Sequence, residues 1–263
     1  MYGLVGMIDY GLSGKLALVT GVSRHIGIGA AIARSLAASG ANVFITYYRP
    51  YDELMPWRSK LTEAEEIIES LKLQGVKAAG LEANLAEPLM PKKLFDFVEK
   101  TLGSVDILVN NAAHDQQADI YSVTAELLDI HYAVNVRGTT VLCAEFAKRH
   151  DGRPGGRIIN LTSGQSLAPM PENLPYAITK GAVEALTLSL SASLASKGIT
   201  VNAVDPGPTD TGWMTDEIRS MLEVKAPFGR VGTPEDAVRT VLFLASSQGQ
   251  WITGQIIRSR GGQ

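Results

Sequence analysis

The chain has 263 residues, of which 45% are hydrophobic and 19% charged, with a formal net charge of −3. This is globular composition with core material for one large or two small domains, and it gives no support for a nucleic-acid partner or an anionic membrane surface. A single cysteine, Cys143, excludes an internal disulfide, no Cys/His cluster has metal-ligand spacing, and there is neither a signal-peptide pattern nor a membrane-length apolar run, so a cytoplasmic protein is expected.

Short apolar runs alternate with amphipathic stretches along the chain. LALVTG (16–21) predicts the first strand and leads into the glycine-rich stretch TGVSRHIGIG (20–29) and a helix over 29–39. NVFITYY (42–48) predicts the second strand; RPYDELMPWRSKLTE (49–63), with two prolines and Trp57, reads as a long loop before a helix over 63–74. VKAAGLEA (76–83), a helix over 91–102, VDILVNNA (105–112) and a helix over 124–149 follow. GRIINLTS (156–163), a helix over 175–197 and ITVNAVDPG (199–207) continue the alternation. A second long insert (209–232) carries the exposed-looking Trp213, Met214 and Met221, a candidate substrate lid; a helix over 234–246 and QIIRS (255–259) close the pattern. Strands nearly continuous in Val, Ile and Leu suit a parallel sheet covered on both faces. No repeat or linker divides the chain. The expectation is one doubly wound, Rossmann-type α/β domain over 1–263, with a mainly parallel seven-stranded sheet and an N-terminal extension over 1–13.

TGVSRHIGIG fits neither G-x-G-x-x-G nor the P-loop pattern. Even so, Gly21, Gly27 and Gly29 permit positive φ and close backbone approach, and the following helix offers free N–H groups to an anion. Such a turn can equally be merely tight. Further along stand NNAA (110–113), NVRG (135–138), NLTS (160–163), YAITK (176–180) and DPGPTDT (205–211). Tyr176 and Lys180 share a helix face. An ammonium beside a phenol lowers its pKa from about 10 toward a useful range, which gives Lys180 a reason to be there.

In order and spacing these pieces resemble the short-chain dehydrogenase/reductase family from about Lys15 to Gly262, with closest similarity to members of the 3-oxoacyl-[acyl-carrier-protein] reductase type. The resemblance implies hydride transfer between a nicotinamide and a carbonyl or hydroxyl, with a 3-oxoacyl thioester among the candidate substrates. Tyr176 would be general acid/base and Lys180 would also hold the nicotinamide ribose. Ser163 would bond the substrate oxygen, and Asn135 would order a water leading from Lys180 to solvent. Thr20, Gly21, Ser23, Gly27, Ile28 and Gly29 would wrap the pyrophosphate. Asn111 and Ala112 would line the adenosine side, with Asn84, where the family commonly has aspartate, and Leu85 near the adenine. Pro206, Gly207, Thr209 and Thr211 would meet the nicotinamide end.

The second strand ends without an acid to bind a ribose 2′-hydroxyl, whereas Arg24 and Arg49 suit a 2′-phosphate, so NADP(H) is expected over NAD(H). Family turns read T-G-x-x-x-G-x-G, which leaves His25 and Ile26 as a two-residue insertion expected to carry Arg24 and His25 toward that phosphate. Arg260-Gly261-Gly262 stands where the family has Asp-Gly-Gly. Gln165, Met170, His114, Trp213 and Met214 are substrate-pocket candidates. An enoyl-thioester reductase is an alternative, although that branch separates its Tyr and Lys by six residues; a cofactor-sensing protein without catalysis is another. The expected partners are a small carbonyl or alcohol and further copies of the chain, as a homotetramer or homodimer, with no membrane, nucleic-acid or metal partner.

Overall fold

Seven strands form one sheet: β1 (Leu16–Val19), β2 (Asn42–Tyr47), β3 (Ala78–Glu82), β4 (Ile107–Asn110), β5 (Gly156–Leu161), β6 (Ile199–Asp205) and β7 (Ile256–Arg258). The order is β3-β2-β1-β4-β5-β6-β7 and every neighbouring pair is parallel. The computed structural model describes residues 9–56 and 58–262. Trp57 and most of the expected N-terminal extension, residues 1–8, lie outside the described residues.

The helices are α1 (Ile28–Ala38), α2 (Arg49–Leu54), α3 (Glu63–Lys72), α4 (Met90–Thr101), α5 (Ala125–His131), α6 (Thr139–Arg149), α7 (Leu174–Leu194), α8 (Asp216–Lys225) and α9 (Pro234–Ala245). A wider π-type turn, Tyr132–Gly138, joins α5 to α6, so the expected helix over 124–149 is continuous but locally unwound. Strand residues alternate between two cores, as a pleated sheet covered on both faces requires. Ala17 and Val19 pack with α1, α3 and α9, whereas Leu16 and Leu18 pack with α4, α6 and α7. α9 starts sharply because Thr233 and Asp236 form a capping box and Pro234 occupies its first turn.

Two segments expected as loops contain helix. In 49–63, α2 begins with Arg49 and Pro50; in 209–232, α8 is capped by the Thr215 hydroxyl accepting from the Ile218 N–H at 3.3 Å. The ends of 209–232 are tied by a bridge between Thr209 and Gly232. Met214 is buried and the Trp213 indole N–H donates to the Thr209 carbonyl at 2.9 Å, so the apolar face of this insert is only partly open; Met221 is exposed. Every expected strand is present, but each ends earlier than its apolar run. Residues such as Gly21, Ala112, Ser163 and Gly207 lie past the sheet edge, in the loops that build the site.

Candidate active site

The carboxyl ends of β1 and β4 mark the topological switch point, where consecutive connections leave to opposite faces and open sheets hold their ligands. Past β5, Ser163 enters a short turn and its hydroxyl donates to Gln165 Oε1 at 2.9 Å. α7 then brings Tyr176 and Lys180 onto one face beside it. The Lys180 ammonium is buried, donates to the Leu161 carbonyl at 2.7 Å and lies 5.4 Å from the Tyr176 ring centre. Asn135 is buried inside the π-type turn, a local feature frequent at functional sites. Its Oδ1 accepts from the His114 N–H at 2.7 Å. Its Nδ2 donates to the His114 carbonyl at 2.9 Å and to Thr179 Oγ1 at 3.0 Å, joining the loop after β4 to α7 next to Lys180.

Burial governs the protonation of this group. It brings Lys180 down to about 8, a fall that nearby Asp115 opposes. Burial also pushes the Tyr176 phenol well above its ordinary value, and Asp115, Tyr51 and Asp205 push it the same way. The expected depression of Tyr176 by Lys180 is thus opposed by burial of the phenol, which raises it. His114 is held down to about 4, by burial first and His131 second, so its imidazole is neutral near pH 7.

After β1, on the other side of the switch point from β5, α1 follows Gly27 with no side-chain cap and no acid in its first turn, leaving its positive end open. The three glycines divide the work. Gly21 has φ +73° and sits where a Cβ would be 2.6 Å from Ala112 Cα; a Cβ on Gly29 would be 2.6 Å from Asn111 Nδ2. Those two allow the turn to pack on the NNAA loop. Gly27 meets only the Arg24 carbonyl, at 3.3 Å, and is the open part of the cradle. Thr20 Oγ1 accepts from the Asn111 and Ala112 N–H groups at 3.1 Å each, and Asn111 Nδ2 donates to the Thr20 and Gly21 carbonyls. The two switch-point loops are thus stitched together beneath an uncapped helix end, a shape that fits a pyrophosphate.

A family model described as Enoyl-(Acyl carrier protein) reductase matches residues 21–263. The Bacillus subtilis "uncharacterized oxidoreductase YjdA" is 47% identical over 250 residues, covering 94% of this chain and 96% of its own. The 3-oxoacyl-[acyl-carrier-protein] reductase FabG of Staphylococcus epidermidis is 35% identical over 251 residues, 94% of this chain and 98% of its own. Among solved structures, landomycin C-6 ketoreductase LanV with bound NADP and rabelomycin superposes with a TM-score of 0.82 at 36% identity, over 95% of this chain and 96% of that one. The chain belongs to the short-chain dehydrogenase/reductase family.

Several expected cofactor contacts of this short-chain dehydrogenase/reductase are already engaged within the protein. Arg49 does not project freely past β2. Its NH2 donates to Glu82 Oε2 at 2.6 Å, its Nε and backbone N–H to Glu82 Oε1, and its NH1 to the Leu61 carbonyl. The chain past β2 has no acid before Asp52, but parallel register sets Glu82 at the end of β3 against Tyr47 at the end of β2. That register was the signal that would have found it. Arg24 donates to the Thr211 carbonyl at 2.9 Å and lies 3.9 Å from Asp52. The expected insertion does not aim His25 at a phosphate: it faces α3, where its backbone N–H reaches Glu63 and its ring Glu66 at 3.1 Å; Ile26 is exposed. His25 is thus placed by carboxylates rather than toward a phosphate.

Asn84 Oδ1 accepts from the Ala86 N–H at 3.0 Å, and Leu85 is a core side chain. Ser23 and Ile28 are half-buried in the glycine turn. Pro206 and Gly207 follow β6, and Thr209 Oγ1 donates to both their carbonyls. Among substrate-pocket candidates, Gln165 lies beside Ser163, and its Nε2 is buried with no hydrogen-bond partner among the described residues. Sequence reasoning missed two polar pairs at the site. Asp115 Oδ1 accepts from Asn173 Nδ2 at 2.8 Å, and buried Asp205 is paired with Arg260 at 3.0 Å. The departure from Asp-Gly-Gly thus comes with its own carboxylate partner. Among the described residues no helix is long and apolar enough to cross a membrane.

Proposed function

We propose that the chain is an NADP(H)-dependent carbonyl reductase that also runs in reverse as an alcohol dehydrogenase, acting on a small ketone or aldehyde, a 3-oxoacyl thioester included. The Lys180 ammonium beside the Tyr176 ring, anchored on Leu161 just before the Ser163 loop, supports this reading together with the uncapped start of α1. A nicotinamide, when bound, supplies the hydride. The chain supplies the rest. Ser163 bonds the substrate oxygen, Tyr176 donates the proton that oxygen needs as it gains charge, and Lys180 stabilises the phenolate left behind. Thr20, Gly21, Gly27 and Gly29 form the pyrophosphate cradle, and Arg24 lies nearest to it for a 2′-phosphate.

NADP bound to LanV supports the cofactor assignment. The description of the matching family favours enoyl reduction as a second reading. The three residues between Tyr176 and Lys180 favour carbonyl reduction. Assembly as a homotetramer or homodimer belongs to the same proposal, since α7 exposes Ile178 and Leu188.

The test is Tyr176→Phe, assayed on ketones, 3-oxoacyl thioesters and an enoyl thioester with NADPH and NADH. Turnover should fall about 10²- to 10⁴-fold while NADPH affinity holds. Retained ketone reduction would overturn the role of Tyr176. A wild type reducing only the enoyl thioester would favour the second reading, and equal kcat/KM with NADH would overturn NADP(H) preference.

A further inference from the structure

β2 and β4 flank β1 on opposite sides. Any contact between the segment after β2 and the segment after β4 therefore crosses the carboxyl end of β1, where the glycine turn opens and a dinucleotide lies along the switch point. Tyr51 of α2 makes that crossing. Its hydroxyl donates to the Asp115 carbonyl at 3.3 Å and accepts from the Asp115 N–H at 3.1 Å, and its ring centre is 5.1 Å from that of His114. Its neighbour Asp52 is buried 3.9 Å from Arg24, which comes from the turn after β1. Arg24 in turn donates to Thr211 in the loop after β6, so one side chain spans the ends of β4 and β5. Beside it, Ile26 Cδ1 sits 2.5 Å from where a Cβ on Gly212 would be, closing the same gap with an apolar contact. Four loops that separately border the groove are thereby linked across it.

We propose that residues 49–55, anchored by Tyr51 and Asp52, form a clasp over the dinucleotide groove that must part for the cofactor to enter and to leave. This rests on the dinucleotide reading above. Tyr51 is a positioning residue here: it acts through Asp115 and the loop after β4. Burial raises its hydroxyl to about 12, so it remains a hydrogen-bond donor throughout the working pH range. A clasp differs from a simple binding contact in its kinetic signature. Loss of a contact speeds dissociation alone, whereas loss of a gate's latch speeds both association and dissociation and changes affinity less than either rate.

Stopped-flow fluorescence of NADPH binding tests this on the full chain. Tyr51→Phe removes both hydrogen bonds to Asp115 and keeps the ring on His114; Asp52→Asn removes the charge facing Arg24. Each should raise both rate constants about tenfold. Unchanged rates in both variants, or faster dissociation with unchanged association, would overturn the clasp. If the wild type binds neither NADPH nor NADH, the dinucleotide reading falls and the clasp with it.

Discussion

Lys180 is the residue on which the protonation of the site turns. Its ammonium is enclosed, holds the Leu161 carbonyl, and is brought down to about 8 by burial. Tyr176 is displaced in the opposite direction, so near neutral pH the pair is a neutral phenol beside an ammonium. On the proposed reading, that is the state that would give a proton to a carbonyl oxygen. Above about 8 the ammonium is lost, and with it the charge that would stabilise the phenolate after transfer. Carbonyl reduction should therefore be level up to about pH 8 and fall as pH rises through that value. Measuring kcat for NADPH-driven reduction from pH 6 to 10 checks this; a profile still level at the alkaline end would remove Lys180 from the proton path. Lys180→Met should remove the alkaline limb together with most of the activity.

At the scale of elements, the turn from β1 into α1 depends on absent side chains. A Cβ on Gly29 would come within 2.6 Å of Asn111 Nδ2 and 2.7 Å of the Gly21 carbonyl, and Asn111 is itself fixed to Thr20 and Gly21. Neither neighbour can give way cheaply. Gly29→Ala should cost about 1–3 kcal/mol and lower Tm by about 2–4 °C per kcal/mol, read by thermal unfolding. An unchanged Tm would show that the two loops relax freely. This turn also shows where sequence patterning reaches its limit. Apolar runs reveal the strands because burial on both faces leaves them little other composition, whereas the roles expected of Ser163, Tyr176 and Lys180 come from the family resemblance of the whole set of motifs rather than from any one spacing. α2 and α8 escape notice because each is short and lies inside an insert read as loop. The unwound turn around Asn135 also leaves helical periodicity nearly intact. The pairing of Arg49 with Glu82 and of Arg24 with Asp52 is set by sheet register and loop path, which no local window contains.

Across the whole molecule, the chain's last strand is tied to the site by a charge pair that neither end announces. Asp205 closes β6 almost fully buried, and Arg260, two residues past β7, puts NH1 3.1 Å and 3.0 Å from its two carboxylate oxygens. Asp205 Oδ1 also accepts from the Gly207 N–H, so the same carboxylate shapes the turn expected at the nicotinamide end. Arg260 fills the space that Gly164 and Gly207 leave by lacking a Cβ, between the loops after β5 and β6. Removing one partner strands the other charge out of water, which costs about 3–5 kcal/mol, whereas replacing both with neutral groups of similar size is close to neutral. Arg260→Met should therefore be strongly destabilising, and the double variant Asp205→Asn with Arg260→Met should recover most of the loss. Urea unfolding of the wild type, both single variants and the double variant measures the coupling directly. Additive losses would mean that the pair is incidental. A recovered double variant with impaired turnover would mean that the pair's orientation of Gly207, rather than its stability, is what the site uses.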